Sequence, residues 1–169
     1  MQLVIIQPFQ AADIEEMVIA FQLLGWNKPR TQFEKYLSEQ EHGKRTVFIA
    51  RTDGKFAGYA TLVWNSEYPS FAIKNIPEVK DLNVLPKYRK QGIGQKLMES
   101  CEEIARKHDH NTLGLGVGLI FDYGSAQRLY FRLNYFPDGA GLHYGIQSVA
   151  YSQKVVADDD LVLYLCKSL

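Results

Sequence analysis

Four cations, Lys87, Arg89, Lys90 and Lys96, fall between Leu85 and Lys96 with no carboxylate among them. Gly92 and Gly94 are interleaved with them. The run Val79, Leu82, Val84, Leu85 ahead of this stretch reads as a strand that Pro86 stops. Behind it, Ile93, Leu97, Met98, Cys101, Ile104 and Ala105 recur at helical spacing, with Glu99, Glu102, Glu103, Arg106 and Lys107 on the opposite face. A glycine turn therefore feeds a helix N-terminus, where first-turn amides lack intrahelical partners and the helix dipole is positive. Such a terminus holds anions. Two residues without side chains let a bulky anion reach the amides of Gln91 through Gln95, and the local positive charge suits a polyphosphate.

The turn is not a P-loop, because no Gly-Lys-Ser/Thr follows a four-residue gap. It is a poor dinucleotide fingerprint, since Leu97 stands where a third glycine is expected. It does spell Arg-x-x-Gly-x-Gly, as Arg89-Lys90-Gln91-Gly92-Ile93-Gly94. After a strand and at a helix start, that pattern resembles the acetyl-CoA-binding motif of the GNAT acyltransferase superfamily. Downstream, Ala126-x-x-Leu129-Tyr130 followed by Leu133-Asn134-Tyr135 is similar to that family's Ala-x-x-Leu-Tyr-x-x-x-Gly-Phe/Tyr. Asn134 replaces the glycine, and asparagine tolerates the left-handed geometry that ends helices. The resemblance covers most of the chain.

The resemblance implies an α/β protein with the GNAT acyl-CoA N-acyltransferase fold. That fold has a mixed, mostly antiparallel central sheet of six to seven strands and about four helices on both faces. It implies acetyl-CoA as acyl donor and a primary amine, on a small molecule or a peptide, as acceptor. Its diphosphate would dock on the amides of Gln91, Gly92, Ile93, Gly94 and Gln95, with Arg89 and Lys90 adding charge. Pantetheine would run along the backbone of Leu82, Asn83 and Val84 as an added strand does, and Ser125 and Tyr130 complete the cofactor set. Tyr130 matches the tyrosine that protonates the departing thiolate. Some members carry a basic glutamate six residues before the apolar end of this strand, which from Val84 is Glu78; Asp81 and a water relay are the other candidates. No cysteine is placed for a ping-pong acyl-enzyme, so direct attack in a ternary complex is expected. A non-catalytic acyl-CoA-binding module and a nucleotide-binding regulatory domain are the rival readings.

The remaining sequence bounds these expectations. A chain of 169 residues, 46% hydrophobic, suggests one domain over 1–169 with a substantial core. With 19 basic and 19 acidic residues, nothing draws the whole surface to nucleic acid or anionic lipid. Met1 to Pro8 lacks a basic leader, and no stretch approaches membrane-spanning length, so a soluble cytoplasmic protein is expected. Cys101 lies on an apolar helix stripe and reads as a buried thiol. His42, His108, His110 and His143 show no metal-like spacing, and no metal is expected. A homodimer is compatible with the family.

Elements to carry these residues follow from periodicity. Leu3–Ile6 reads as a strand ended by Pro8, and Ala11–Leu24 as a helix. Thr31-x-x-Glu34 suggests a capping box for a helix over Gln32–Gln40. Val47–Arg51 and Phe56–Trp64 form an expected hairpin across Thr52-Asp53-Gly54-Lys55. Asn65–Asn75 reads as an aromatic loop, and Thr112–Ile120 as a strand whose alternating glycines permit close approach. Asp122 or Ser125 is expected to cap the following helix. Phe136–Ala157 yields no clear pattern, the Asp158-Asp159-Asp160 triplet reads as a solvated turn, and Leu161–Cys166 closes the chain as a strand.

Overall fold

Alternating and helical hydrophobic patterns sort the chain into elements whose pairing sets the glycine turn at a strand end. The computed structural model describes residues 3–169; Met1 and Gln2, which open the apolar start, lie outside the described residues. Among the described residues there are eight strands and five α-helices. They run β1 (Val4–Pro8), α1 (Asp13–Leu23), α2 (Arg30–Glu41), β2 (Arg45–Thr52), β3 (Lys55–Val63), α3 (Pro69–Ile73), β4 (Glu78–Val84), α4 (Ile93–Lys107), β5 (Thr112–Gly118), α5 (Gly124–Arg132), β6 (Phe136–Tyr144), β7 (Gln147–Ser148) and β8 (Leu161–Ser168). β4 and β5 pair in parallel, while β1/β2, β2/β3, β5/β8, β6/β8 and β6/β7 are antiparallel, so the sheet is mixed.

The chain divides into two compact units. The first holds the described residues up to Val63 together with Asp81–Cys101, with strands in the order β1-β2-β3-β4. The expected hairpin is there: Thr52 pairs with Lys55, and Asp53 and Gly54 both take positive φ, 48° and 75°, as a two-residue primed turn requires. α1 buries Ile14, Met17, Val18 and Phe21, and α2 buries Phe33 and Tyr36. The Phe21 ring sits 6.1 Å from Phe33, 5.9 Å from Phe56 and 5.8 Å from Tyr59. Burying each such ring contributes about 1.5–3 kcal/mol, far more than the tenths a polar helix face supplies. Ile93, Leu97, Met98 and Cys101 are buried along α4, as its stripe predicts.

The second unit holds Trp64–Lys80 and Glu102–Leu169. Here β4 meets β5 through Glu78↔Gly114 and Val79↔Leu115, and β5 pairs with β8 from Thr112↔Ser168 to Gly118↔Val162. The glycines of β5 do admit close approach, by aromatic rings. A Cβ on Gly114 would lie 2.3 Å from the Phe71 ring, and one on Gly118 would lie 2.5 Å from Tyr123. Tyr68 and Tyr164 stack at 3.6 Å with planes 3° apart, over Phe71 and Ile76. Buried Glu102 accepts from Lys167 Nζ at 2.7 Å and from Tyr135 Oη at 3.1 Å, which neutralises its charge.

Several local expectations are corrected. Thr31 does not cap α2, since Pro29 in extended geometry (φ −71°, ψ 155°) precedes a helix that already begins at Arg30. Neither Asp122 nor Ser125 caps α5, because a 3₁₀ turn over Phe121–Tyr123 runs into it and supplies helical backbone instead of a side-chain cap. The Asn65–Asn75 loop contains α3, started by Pro69. The Phe136–Ala157 stretch, which showed no clear sequence pattern, holds β6 and β7; a register shift between Pro137 and Leu142 breaks the alternation that would have revealed β6.

Candidate active site

The basic turn has the backbone an anion cradle needs. After β4, Pro86–Tyr88 form a 3₁₀ turn, and Lys90 (φ 60°) and Gly92 (φ 80°) take left-handed conformations before α4 starts at Ile93. The first helical bond runs from the Lys96 amide to the Gly92 carbonyl at 3.1 Å. Helix geometry therefore leaves the preceding amides to other acceptors. Lys87, Arg89, Lys90, Gln91, Gly92 and Lys96 are all exposed. Arg89 is partly committed: its Nε donates to the Val84 carbonyl at 3.0 Å, and its guanidinium lies over the Trp26 ring at 5.6 Å. One side chain thus ties the end of β4, the turn and the α1–α2 connection together.

Along β4, Asp81 adopts φ 56° inside a strand, a conformation non-glycine residues rarely take. The ladder to β5 stops two residues earlier, at Val79. Leu82, Asn83 and Val84 run on beyond it, and the Leu85 amide bonds the Ala57 carbonyl of β3 at 2.9 Å. The Asp81 carboxylate collects five donors: Lys28 Nζ, Tyr59 Oη, Tyr36 Oη at 2.9 Å, Gln32 Nε2 at 2.9 Å and Asn83 Nδ2 at 2.7 Å. Burial pushes its pKa up, but the Lys28 charge and the hydrogen bonds from Lys28, Tyr59 and Tyr36 outweigh that and hold it below the usual aspartate range. Burial, and then the Asp81 charge, push the Tyr36 and Tyr59 phenols upward, so both remain protonated donors.

Glu78 is only 3% exposed. The Ser66 hydroxyl donates to its Oε2 at 2.6 Å and itself accepts from the Tyr68 amide at 3.0 Å. Burial, and then the Glu78 charge, raise the Tyr164 phenol. Tyr130 is 7% exposed and meets Tyr135 edge-on at 6.2 Å. Asn134 ends α5 with φ 66°, as the motif anticipated. The Tyr135 amide bonds the Tyr130 carbonyl at 3.0 Å and the Asn134 amide bonds Phe131 at 3.1 Å. This is a Schellman closure that fixes the backbone of Tyr130. Ser125 is exposed in the first turn of α5.

Sequence reasoning missed Lys28, Gln32, Tyr59 and Ser66. Gln32 and Tyr36 share one face of α2 at i, i+4, which was legible; no local signal joins either to Asp81 across more than 40 positions. Among the nearby aromatic residues, Phe33, Tyr36, Tyr68 and Phe71 are buried, while Trp26 and Trp64 are half-buried.

A profile of the acetyltransferase (GNAT) family matches residues 12–135, most of the chain, and the chain belongs to that family. An Archaeoglobus fulgidus protein described as an uncharacterized N-acetyltransferase is 34% identical over 89 residues, covering 53% of this chain and 58% of that protein. The match thus spans little more than half of that relative. Solved structures resemble nearly the whole chain, two of them as follows. A ribosomal-protein-alanine N-acetyltransferase from Brucella melitensis superposes with TM-score 0.72 at 16% identity, covering 98% of this chain and 99% of the other. A Salmonella typhimurium acetyltransferase structure described with its cofactor acetyl-CoA gives 0.68 at 16% identity, covering 98% and 93%. At these identities the likeness is one of fold, and it agrees with the α/β GNAT fold expected from the motifs.

Proposed function

We propose that this chain transfers an acetyl group from acetyl-CoA to a primary amine by direct attack in a ternary complex. The observation that carries the reading is the basic strand–turn–helix at Leu85–Lys96. There, left-handed Lys90 and Gly92 present the first-turn amides of α4 amid exposed cations. Amides of Gln91 to Gln95 would take the diphosphate, with Lys90 and one edge of Arg89 adding charge, and the backbone of Leu82, Asn83 and Val84 would take pantetheine. Ser125 completes the cofactor set.

Glu78 is the favoured proton acceptor for the attacking ammonium. It is buried and oriented by Ser66, whereas five donors hold Asp81 in the ionised form and make it a weak base. Removing the proton exposes the nitrogen lone pair, which attacks the thioester carbonyl; the C–S bond breaks and the thiolate takes a proton. Tyr130 is the proposed donor of that proton. A thiolate leaving group needs no strong acid, so a phenol within hydrogen-bond reach would suffice.

The test is CoA release across a panel of amines. Tyr130→Phe and Glu78→Gln should each lower kcat by about 10²-fold, the low end of general acid–base contributions. Arg89→Glu should raise the KM for acetyl-CoA. Unchanged turnover in both catalytic variants overturns the assignments. Acetyl-CoA binding without thiol release for any amine would identify a non-catalytic acyl-CoA-binding module instead.

A further inference from the structure

Asp81 is used neither as base nor as cofactor ligand, yet five donors converge on its carboxylate. Its partners come from three elements and one connection: Gln32 and Tyr36 from α2, Tyr59 from β3, Asn83 from β4, and Lys28 from the segment between α1 and α2. Four of these donors are uncharged and lie on packed elements. The fifth is an ammonium on a connection whose Gly25, Asn27 and Pro29 are exposed. Lys28 and Asp81 keep side-chain exposures of 18% and 17%, so the pair lies beneath the surface but within reach of it. The Tyr59 ring lies 5.9 Å from Nζ and adds a cation–π face. What faces that ammonium is the Asp81 carboxylate and the Tyr59 ring. Two phenols and two amides donate to the carboxylate and hold it in place, and together these groups form a cup for a primary alkylammonium. Lys28 is the alkylammonium now in it.

We propose that this cup is a binding site for an ammonium group of the acceptor, and that Lys28 is a displaceable occupant that keeps Asp81 paired between encounters. The inference rests on the acetyltransferase reading for the identity of the ligand as acceptor. Emptying the cup would leave a largely buried carboxylate unpaired, which is costly. Exchanging one ammonium for another keeps the charge count and hydrogen bonds constant, so it needs only rotation of a side chain on an exposed connection. The chemistry also says which nitrogen is bound. A carboxylate this strongly ionised stabilises the protonated amine, whereas the attacking nitrogen must lose its proton. The group in the cup is therefore a second, non-reacting ammonium, and the acceptor class is an aliphatic diamine.

Two measurements test this. In calorimetry without acetyl-CoA, n-butylammonium should bind Lys28→Met at least tenfold more tightly than wild type, because the competing cation is gone. Equal affinities, or no binding to a folded Lys28→Met, overturn the site. Should that variant not fold, wild type carrying ¹³Cε-lysine can be titrated with n-butylammonium. The Lys28 resonance should move toward the exposed-lysine position, and a stationary resonance overturns the proposal. In turnover, 1,4-diaminobutane should show a KM at least tenfold below that of n-butylamine, and Asp81→Asn should remove that preference. A preference that survives Asp81→Asn overturns the acceptor role. If n-butylammonium binds as expected but no amine is turned over, the cup stands and the acetyltransferase reading falls.

Discussion

At the scale of single residues, the division of labour between two acidic groups on one strand is decided by what surrounds them. The Ser66 hydroxyl donates to Glu78, while five donors converge on Asp81, which is why the proposed base is the former. The same partners make Asp81 a source of stability with a defined pH dependence. Its folded pKa lies below the ordinary value of 3.8, so its contribution is complete above that value and is lost as pH falls through the folded one. Asp81→Asn should cost about 1–3 kcal/mol at pH 7, because it removes the charged acceptor on which the packed donors Tyr36, Tyr59, Gln32 and Asn83 converge. The gap in denaturant midpoint between wild type and variant should close as the pH is lowered below about 4. A gap independent of pH would mean that packing, not charge, holds the cluster. None of this was legible beforehand. The candidates Glu78, Asp81 and Tyr130 could be found by motif and spacing, but their partners arrive from distant positions that one-dimensional patterns do not connect.

Among elements, what the sequence disclosed tracks how many residues share a pattern. α4 offered six apolar positions on one stripe, and the β2–β3 hairpin offered an Asp-Gly turn between two alternating runs; the hairpin and the stripe are found, but Glu102, expected on the polar face of α4, is buried because Lys167 and Tyr135 satisfy it. α3, with five residues, and β7, with two, are too short to show a period, and β6 hides its period behind a register shift. Capping misled because Pro29 and the 3₁₀ turn before α5 start those helices by backbone geometry alone. The end of α5 is the reverse case, where one residue type predicted the conformation. Asn134→Val should destabilise the fold by about 1–2 kcal/mol, since a β-branched residue resists the left-handed region, while Asn134→Gly should be tolerated. Thermal melts of the two variants check this, and equal losses would deny the Schellman closure its role. If that closure positions Tyr130, Asn134→Val should also lower kcat beyond what its stability loss explains.

At the scale of the whole molecule, balanced charge means that attraction for a polyphosphate is local to the turn rather than a property of the surface. Exposed cations a few ångströms from a ligand are screened over about 8–10 Å at ordinary ionic strength. Acetyl-CoA affinity should therefore weaken with added salt, and neutralising Lys90 should flatten that dependence. The arrangement of Arg89 has a practical corollary. Its guanidinium lies on the indole of Trp26 while its Nε holds the end of β4, and the chain has only two tryptophans. In a Trp64→Phe background, Trp26 is the sole tryptophan, and a phosphate bound as proposed that draws the guanidinium off the ring should alter its fluorescence. Donor occupancy thereby becomes readable in real time, from an optical gauge the protein already carries and without any label.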